Sequence, residues 1–191
     1  MARPREFDDD AVIDRAMDVF WTHGYAATSP AMLAEATGVG KGSLYNAFGG
    51  KRETFERCLD RYRTLTTEMA GELLAHPGTT RECLSAALRY IVDNDLAQGS
   101  PRGCLIGNTA VELAGVDPDM ARRVRAAQDE SVDLLESRIL RGKAEGDVDE
   151  GIDPRIFAEY LANTLAGLRV TAMTHEANTL HRIIDTAVAA L

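Results

Sequence analysis

No window approaches roughly 18 consecutive apolar residues, so a bilayer-crossing helix is excluded as a reading and no membrane partner is expected. The first residues, Met1-Ala2-Arg3-Pro4-Arg5-Glu6, lack the apolar run of a signal peptide, and a cytoplasmic location is expected. Cysteine is scarce. Cys58, Cys83 and Cys104 are scattered without a CxxC pair, and only 4 histidines accompany them, which argues against a disulfide frame or a metal site. His175 and His181, six apart, read as solvated or structural. No Ser-His-Asp or paired-carboxylate constellation stands out, so neither catalysis nor a cofactor is expected. Positive charge is also short: 21 Lys and Arg face 30 Asp and Glu, a net charge of −9. That total looks wrong for a nucleic-acid binder, but its distribution matters more. Residues 1–63 hold 9 basic against 10 acidic side chains and the remainder 12 against 20, so the excess acid lies beyond the N-terminal third. Phosphate affinity depends on the local face, and Arg3, Arg5, Lys41, Lys51 and Arg52 fall within that third.

With 191 residues, 45% of them hydrophobic, the chain can bury a substantial core. Its apolar spacing is helical throughout. Asp8 to Asp10 supply a cap and first-turn carboxylates for a helix whose apolar residues run from Val12 to Phe20 and which ends at Gly24. Thr28 or Ser29 caps the next, with Pro30 at its start. Further helices are expected at about 51–75, 79–97, 103–114, 118–145, 154–174 and 177–190. Asp117-Pro118 and Asp153-Pro154 mark two of the starts. The acidic stretch 146–151 lacks calcium-ligand spacing and reads as a solvated loop. The fold class is therefore all-α, with about nine helices.

The most informative stretch runs from Ala34 to Phe48. Leu33 and Ala36 close one helix, Gly38 suits a left-handed C-terminus, and Val39 plugs the turn. Leu44 and Phe48 return to the core at i and i+4, leaving Lys41, Gly42, Ser43, Tyr45 and Asn46 outward. This is the pattern of a DNA-reading helix-turn-helix. The run Gly38-Val39-Gly40-Lys41-Gly42-Ser43 is not a phosphate loop, because Gly42 stands where Ser or Thr must follow the lysine and the earlier glycine of that motif is missing.

Here the chain resembles the tetracycline-repressor (TetR/AcrR) family of transcription regulators. The match comprises Phe20-Trp21-Thr22-His23-Gly24-Tyr25, Thr28, Ala34, Gly38-Val39, Gly42-Ser43-Leu44-Tyr45, Phe48, Lys51 and Phe55. It departs at Gly40, where the family often has Ser, and at Asn46-Ala47, where it often has His-His, which implies a changed operator. The resemblance implies a ligand-responsive repressor that binds a palindromic operator in double-stranded DNA as a homodimer. It divides the chain into a head, 1–50, with three helices, and an effector-binding and dimerisation body, 51–191.

Within the head, Lys41, Gly42, Ser43 and Asn46 are placed to meet base edges, lysine suiting guanine and asparagine adenine. Thr28, Ser29, and Lys51 suit phosphate oxygens, as does Tyr45 on the strength of the resemblance. In the body, Cys104 and Asn108 share one face of a mixed polar and apolar helix, and Glu112, Tyr90 and Arg169 complete the candidate effector pocket for an unidentified small molecule. Cys104 alternatively senses an oxidant or electrophile, or is simply a small core residue. Phe157, Leu161, Leu165 and Leu168 form one apolar stripe, and Ile184 and Val188 belong to another; these are the expected dimer contacts. The competing class is a helical enzyme or small-molecule-binding protein without a DNA role.

Overall fold

The computed structural model describes residues 8–98 and 102–191; Arg3, Arg5 and most of the break at 98–101 lie outside that range. The described residues form nine helices and no strand: α1 Asp9–Ala27, α2 Pro30–Thr37, α3 Lys41–Phe48, α4 Lys51–Ala75, α5 Thr80–Ala97, α6 Leu105–Leu113, α7 Pro118–Glu145, α8 Pro154–Thr171 and α9 Ala177–Val188. None is long and apolar enough to cross a membrane.

Local chemistry sets the helix starts. Carboxylates of Asp8, Asp117 and Asp153 accept from backbone N–H groups of the first turns of α1, α7 and α8, and the Ser29 hydroxyl does the same for α2. Pro30, Pro118 and Pro154 sit where a missing N–H costs nothing. Gly24 does not end α1, as the spacing predicts. Its backbone (φ 78°, ψ 170°) kinks the helix, and one further turn follows to Ala27.

Two apolar cores form, and their division does not follow the 50/51 boundary. The first joins α1, α2 and α3 to Phe55, Cys58, Leu59 and Tyr62 of α4, and also takes in Leu105 and Ile106 of α6 and Met120, Val124 and Ala127 of α7. The second gathers Leu74 with α5, the C-terminal half of α7, α8 and α9. α4 enters both cores by its ends, and no residue from 63 to 73 is buried. The 146–151 stretch is more than a solvated loop. Asp147 accepts from the Thr80 N–H and hydroxyl, each at 2.8 Å, and Val148 is buried beside them. Gly142 permits this contact: a Cβ there would lie 2.0 Å from Thr80 Oγ1.

Candidate nucleic-acid interface and regulatory cluster

α3 separates two faces by its spacing. Leu44 and Phe48 are buried, whereas Lys41, Gly42, Ser43 and Asn46 are exposed together on the opposite side. Nothing lies within 4 Å of a Cβ built on Gly42, so its lack of a side chain serves no packing need inside the chain. The turn before it uses Gly38 at φ 71°, with Val39 buried beneath.

The expected phosphate contacts need correction. Thr28 is buried, and its hydroxyl donates to the Gly24 carbonyl at 2.7 Å, where it closes the end of α1 rather than facing a backbone phosphate. Tyr45 packs half-buried against the first core, and its hydroxyl is buried without a hydrogen-bond partner, so a phosphate cannot reach it unless the ring moves. Ser29 accepts from the Met32 N–H at 3.2 Å, which leaves its own proton free to donate outward. Lys51 donates to the Ala26 carbonyl at 3.3 Å and stacks over the Tyr25 ring, 4.6 Å from its centre. Its ammonium therefore lies at the junction of α1 and α2.

In the body, three effector candidates converge on Gly103 and two do not. Arg169 directs Nε and Nη2 to the two oxygens of Asp95 at 2.7 and 2.8 Å, Nη2 also to the Gly103 carbonyl at 3.1 Å, and Nη1 to the Tyr62 hydroxyl at 3.0 Å. That hydroxyl in turn meets Cys104 Sγ at 3.6 Å, and Asn108 donates to the Arg102 carbonyl at 2.9 Å. From the head, the Trp21 indole donates to the same Gly103 carbonyl at 3.1 Å. Burial opposes the charge on Arg169, but Tyr62, Cys104 and Asp95 around it hold it protonated. Burial likewise pushes the Tyr62 hydroxyl upward and, elsewhere in the first core, the Cys58 thiol.

Tyr90 stands half-exposed on α5 and has no place in the cluster. Glu112 is not a pocket residue either, because its carboxylate accepts from the Tyr25 and Ala26 N–H groups of α1. The expectation missed Tyr62, Asp95 and Trp21. Asp95 had a readable signal, since it falls on the stripe Leu84, Leu88 and Val92, where an acid needs a buried partner. A further tie, between α4 and α7, runs from Arg52 to Asp117, at 2.5 Å. The Arg52 hydrogen bond, aided by the Met120 N–H, holds the Asp117 carboxyl down at about 2.

The dimer candidates also need correction. Leu161, Leu168, Ile184 and Val188 are buried in the second core of their own chain, and Phe157 and Leu165 pack against it. The apolar residues left outward on α8 are Ile156 (66% exposed), Tyr160 and Val170 (65%), joined by Met173 and by Ile183 of α9. A shallow groove of about 300 Å³ opens on this side, lined by Tyr160, Thr179, Arg182, Ile183 and Thr186.

Comparison with known proteins agrees with this architecture. Residues 12–58 match the pattern of "Bacterial regulatory proteins, tetR family", and residues 79–188 match "Tetracyclin repressor-like, C-terminal domain". The chain is similar to the HTH-type transcriptional repressor ComR of Escherichia coli K12, with 29% identity across 97% of this chain and 88% of that one. It is also similar to the uncharacterized HTH-type transcriptional regulator YezE of Bacillus subtilis 168, with 28% identity over the full length of both. Among solved structures, a cysteine mutant of the TetR family regulator CifR complexed with 26bp double-strand operator DNA shares 34% identity, covers 99% of each chain and superposes with a TM-score of 0.86. With both halves matched and the helix order in common, the chain belongs to the tetR family of bacterial regulatory proteins, which are DNA-binding transcription regulators and not enzymes.

Proposed function

We propose that this regulator is an effector-responsive repressor that reads a near-palindromic operator as a homodimer. The observation that carries the reading is the outer face of α3, where Lys41, Gly42, Ser43 and Asn46 are exposed beside one another on a helix whose inner face is fully committed to the core. Lysine offers donors to guanine O6 and N7, asparagine pairs with adenine, and Gly42 lets the helix backbone approach the groove floor. Ser29 and Lys51, flanking the start of α2, position the head on phosphates. Work on an operator puts the protein in the cytoplasm. The head is residues 1–50 and the body residues 51–191, with α4 shared mechanically between them.

A second copy covers the outward face of α8 and α9, where Ile156, Tyr160, Val170 and Ile183 are apolar and uncovered within the chain. Two-fold pairing sets two α3 helices about one DNA turn apart, roughly 34–36 Å. An effector enters at the Arg169, Cys104 and Asn108 cluster and favours a state in which the two heads no longer match successive major grooves. Effector and operator then oppose each other's binding by the same factor.

A gel shift with DNA fragments from beside the protein's own gene tests the reading. Retention of one fragment over random DNA, at a mass of two chains per duplex, is the expected result. Equal affinity for all fragments would remove sequence reading from α3.

A further inference from the structure

Glu112 belongs to the body, yet its carboxylate acts on the head. Oε2 accepts the Tyr25 N–H at 2.8 Å and Oε1 the Ala26 N–H at 2.6 Å, across 87 and 86 residues of sequence. These donors are free because the kink at Gly24 breaks the α1 ladder, leaving the following turn without preceding carbonyls to bond. A carboxylate is the strongest side-chain acceptor for such a pair, through charge-assisted hydrogen bonds. Gly24 fits the arrangement twice over. Its φ of 78° suits glycine, and a Cβ there would lie 3.0 Å from Glu112 Oε2.

The turn that Glu112 holds leads directly into the reading unit. Thr28 closes onto the Gly24 carbonyl, Ser29 caps α2, and Lys51 binds the Ala26 carbonyl. Along α6, residues 104, 108 and 112 recur every four positions on one line. The first meets Tyr62, the second the Arg102 carbonyl, and the third the head. α6 thus spans from the Gly103 cluster to α1 as a rigid bar, about 12 Å from Cys104 to Glu112.

We propose that Glu112 is the positioning residue through which α6 fixes the angle of the reading head on the body, so that operator affinity depends on its grip on Tyr25 and Ala26. This rests on the repressor reading above and names the joint through which that reading operates.

The test uses the full-length protein, Glu112→Ala and Glu112→Gln, with Val111→Ala, an exposed neighbour, as control. Three readouts are taken: amide exchange at Tyr25 and Ala26, the distance distribution between spin labels placed by orthogonal coupling at the exposed positions Glu35 and Ser137, and anisotropy with operator DNA. In Glu112→Ala, exchange at the two amides should rise about tenfold, the distances should broaden, and operator affinity should fall about tenfold, while exchange at Leu33 and Leu44 stays unchanged. Glu112→Gln, which keeps one acceptor oxygen, should fall between, and it carries the test alone if the alanine variant does not fold. Unchanged exchange or distances in a folded variant overturn the proposal, as does looser exchange with operator affinity kept within about twofold. Failure of the wild type to bind any operator would refute the repressor reading, and the distance measurement would still decide whether Glu112 holds the head.

Discussion

The buried pair at the centre of the body invites a direct energetic test. Asp95 and Arg169 retain only 5% and 11% of their side-chain exposure, and the guanidinium is held at four points by Asp95, Tyr62 and Gly103. Asp95→Asn keeps the shape and removes the charge, which leaves a cation in an apolar interior without its counter-ion. Breaking such a pair from one side costs about 3–5 kcal/mol, because the remaining ion stays buried and uncompensated. For a chain of this size that is roughly 6–20 °C in Tm. Arg169→Met should cost a similar amount from the other side. The double variant Asp95→Leu with Arg169→Met leaves no ion behind and should recover most of the loss, since a buried pair adds little over well-packed apolar residues. Thermal unfolding followed by circular dichroism measures all three, with Asp93→Asn as a control on the same helix. Asp93 meets His181 in an exposed pair and should cost less than about 1 kcal/mol. Trp21, the single tryptophan, donates to the Gly103 carbonyl that Arg169 also holds, so its fluorescence should change in the two single variants. A loss below about 1 kcal/mol for Asp95→Asn, or a double variant as unstable as the sum of the singles, would refute the reasoning.

Asn46→Ala and Lys41→Ala should each weaken the preferred operator by about 1–3 kcal/mol and flatten base preference, whereas Lys51→Ala should weaken all sequences alike; anisotropy on specific and random duplexes distinguishes the two patterns. Val170→Glu places a carboxylate in the uncovered face of α8 and should give a folded monomer by light scattering, while a mass of two chains would move the contact elsewhere. Gly142→Ala forces a methyl to within 2.0 Å of Thr80 Oγ1 and 2.5 Å of Asp147 Oδ1, and should destabilise the second core by about 1–3 kcal/mol in urea unfolding. Because the Asp117 carboxyl is held at about 2, below its ordinary 3.8, its contribution is complete above the ordinary value and is lost as pH falls toward about 2. Asp117→Asn should remove that part of the acid dependence, and an unchanged acid unfolding curve would count against the Arg52 tie.

What could be read from sequence was set by neighbours a few residues apart. Asp8, Ser29-Pro30, Asp117-Pro118 and Asp153-Pro154 mark helix starts because a cap acts within its own first turn, and Gly38 marks the turn before α3 because only local backbone geometry is at stake. The outward set of α3 is legible for the same reason, since Leu44 and Phe48 fix which side faces in. The misreadings occur where two partners compete for one residue. α8 is apolar on more than one face, and periodicity alone does not assign Leu161 and Leu168 to their own chain's core or to a second copy. Thr28 carries a hydroxyl suited to a phosphate and equally to the carbonyl four residues back, and the helical bond prevails because it forms without ordering anything distant. Glu112 lies beyond local reading altogether, because its donors are freed only by a kink 88 positions earlier in the chain. The 50/51 boundary is where a loop falls, but the first core passes through it to Met120 and Val124 of α7. A head fused to α6 and α7 by continuous packing cannot tilt without moving them. On the proposed reading, coupling between effector and operator runs through this shared core, with Glu112 as its polar fixing to α1.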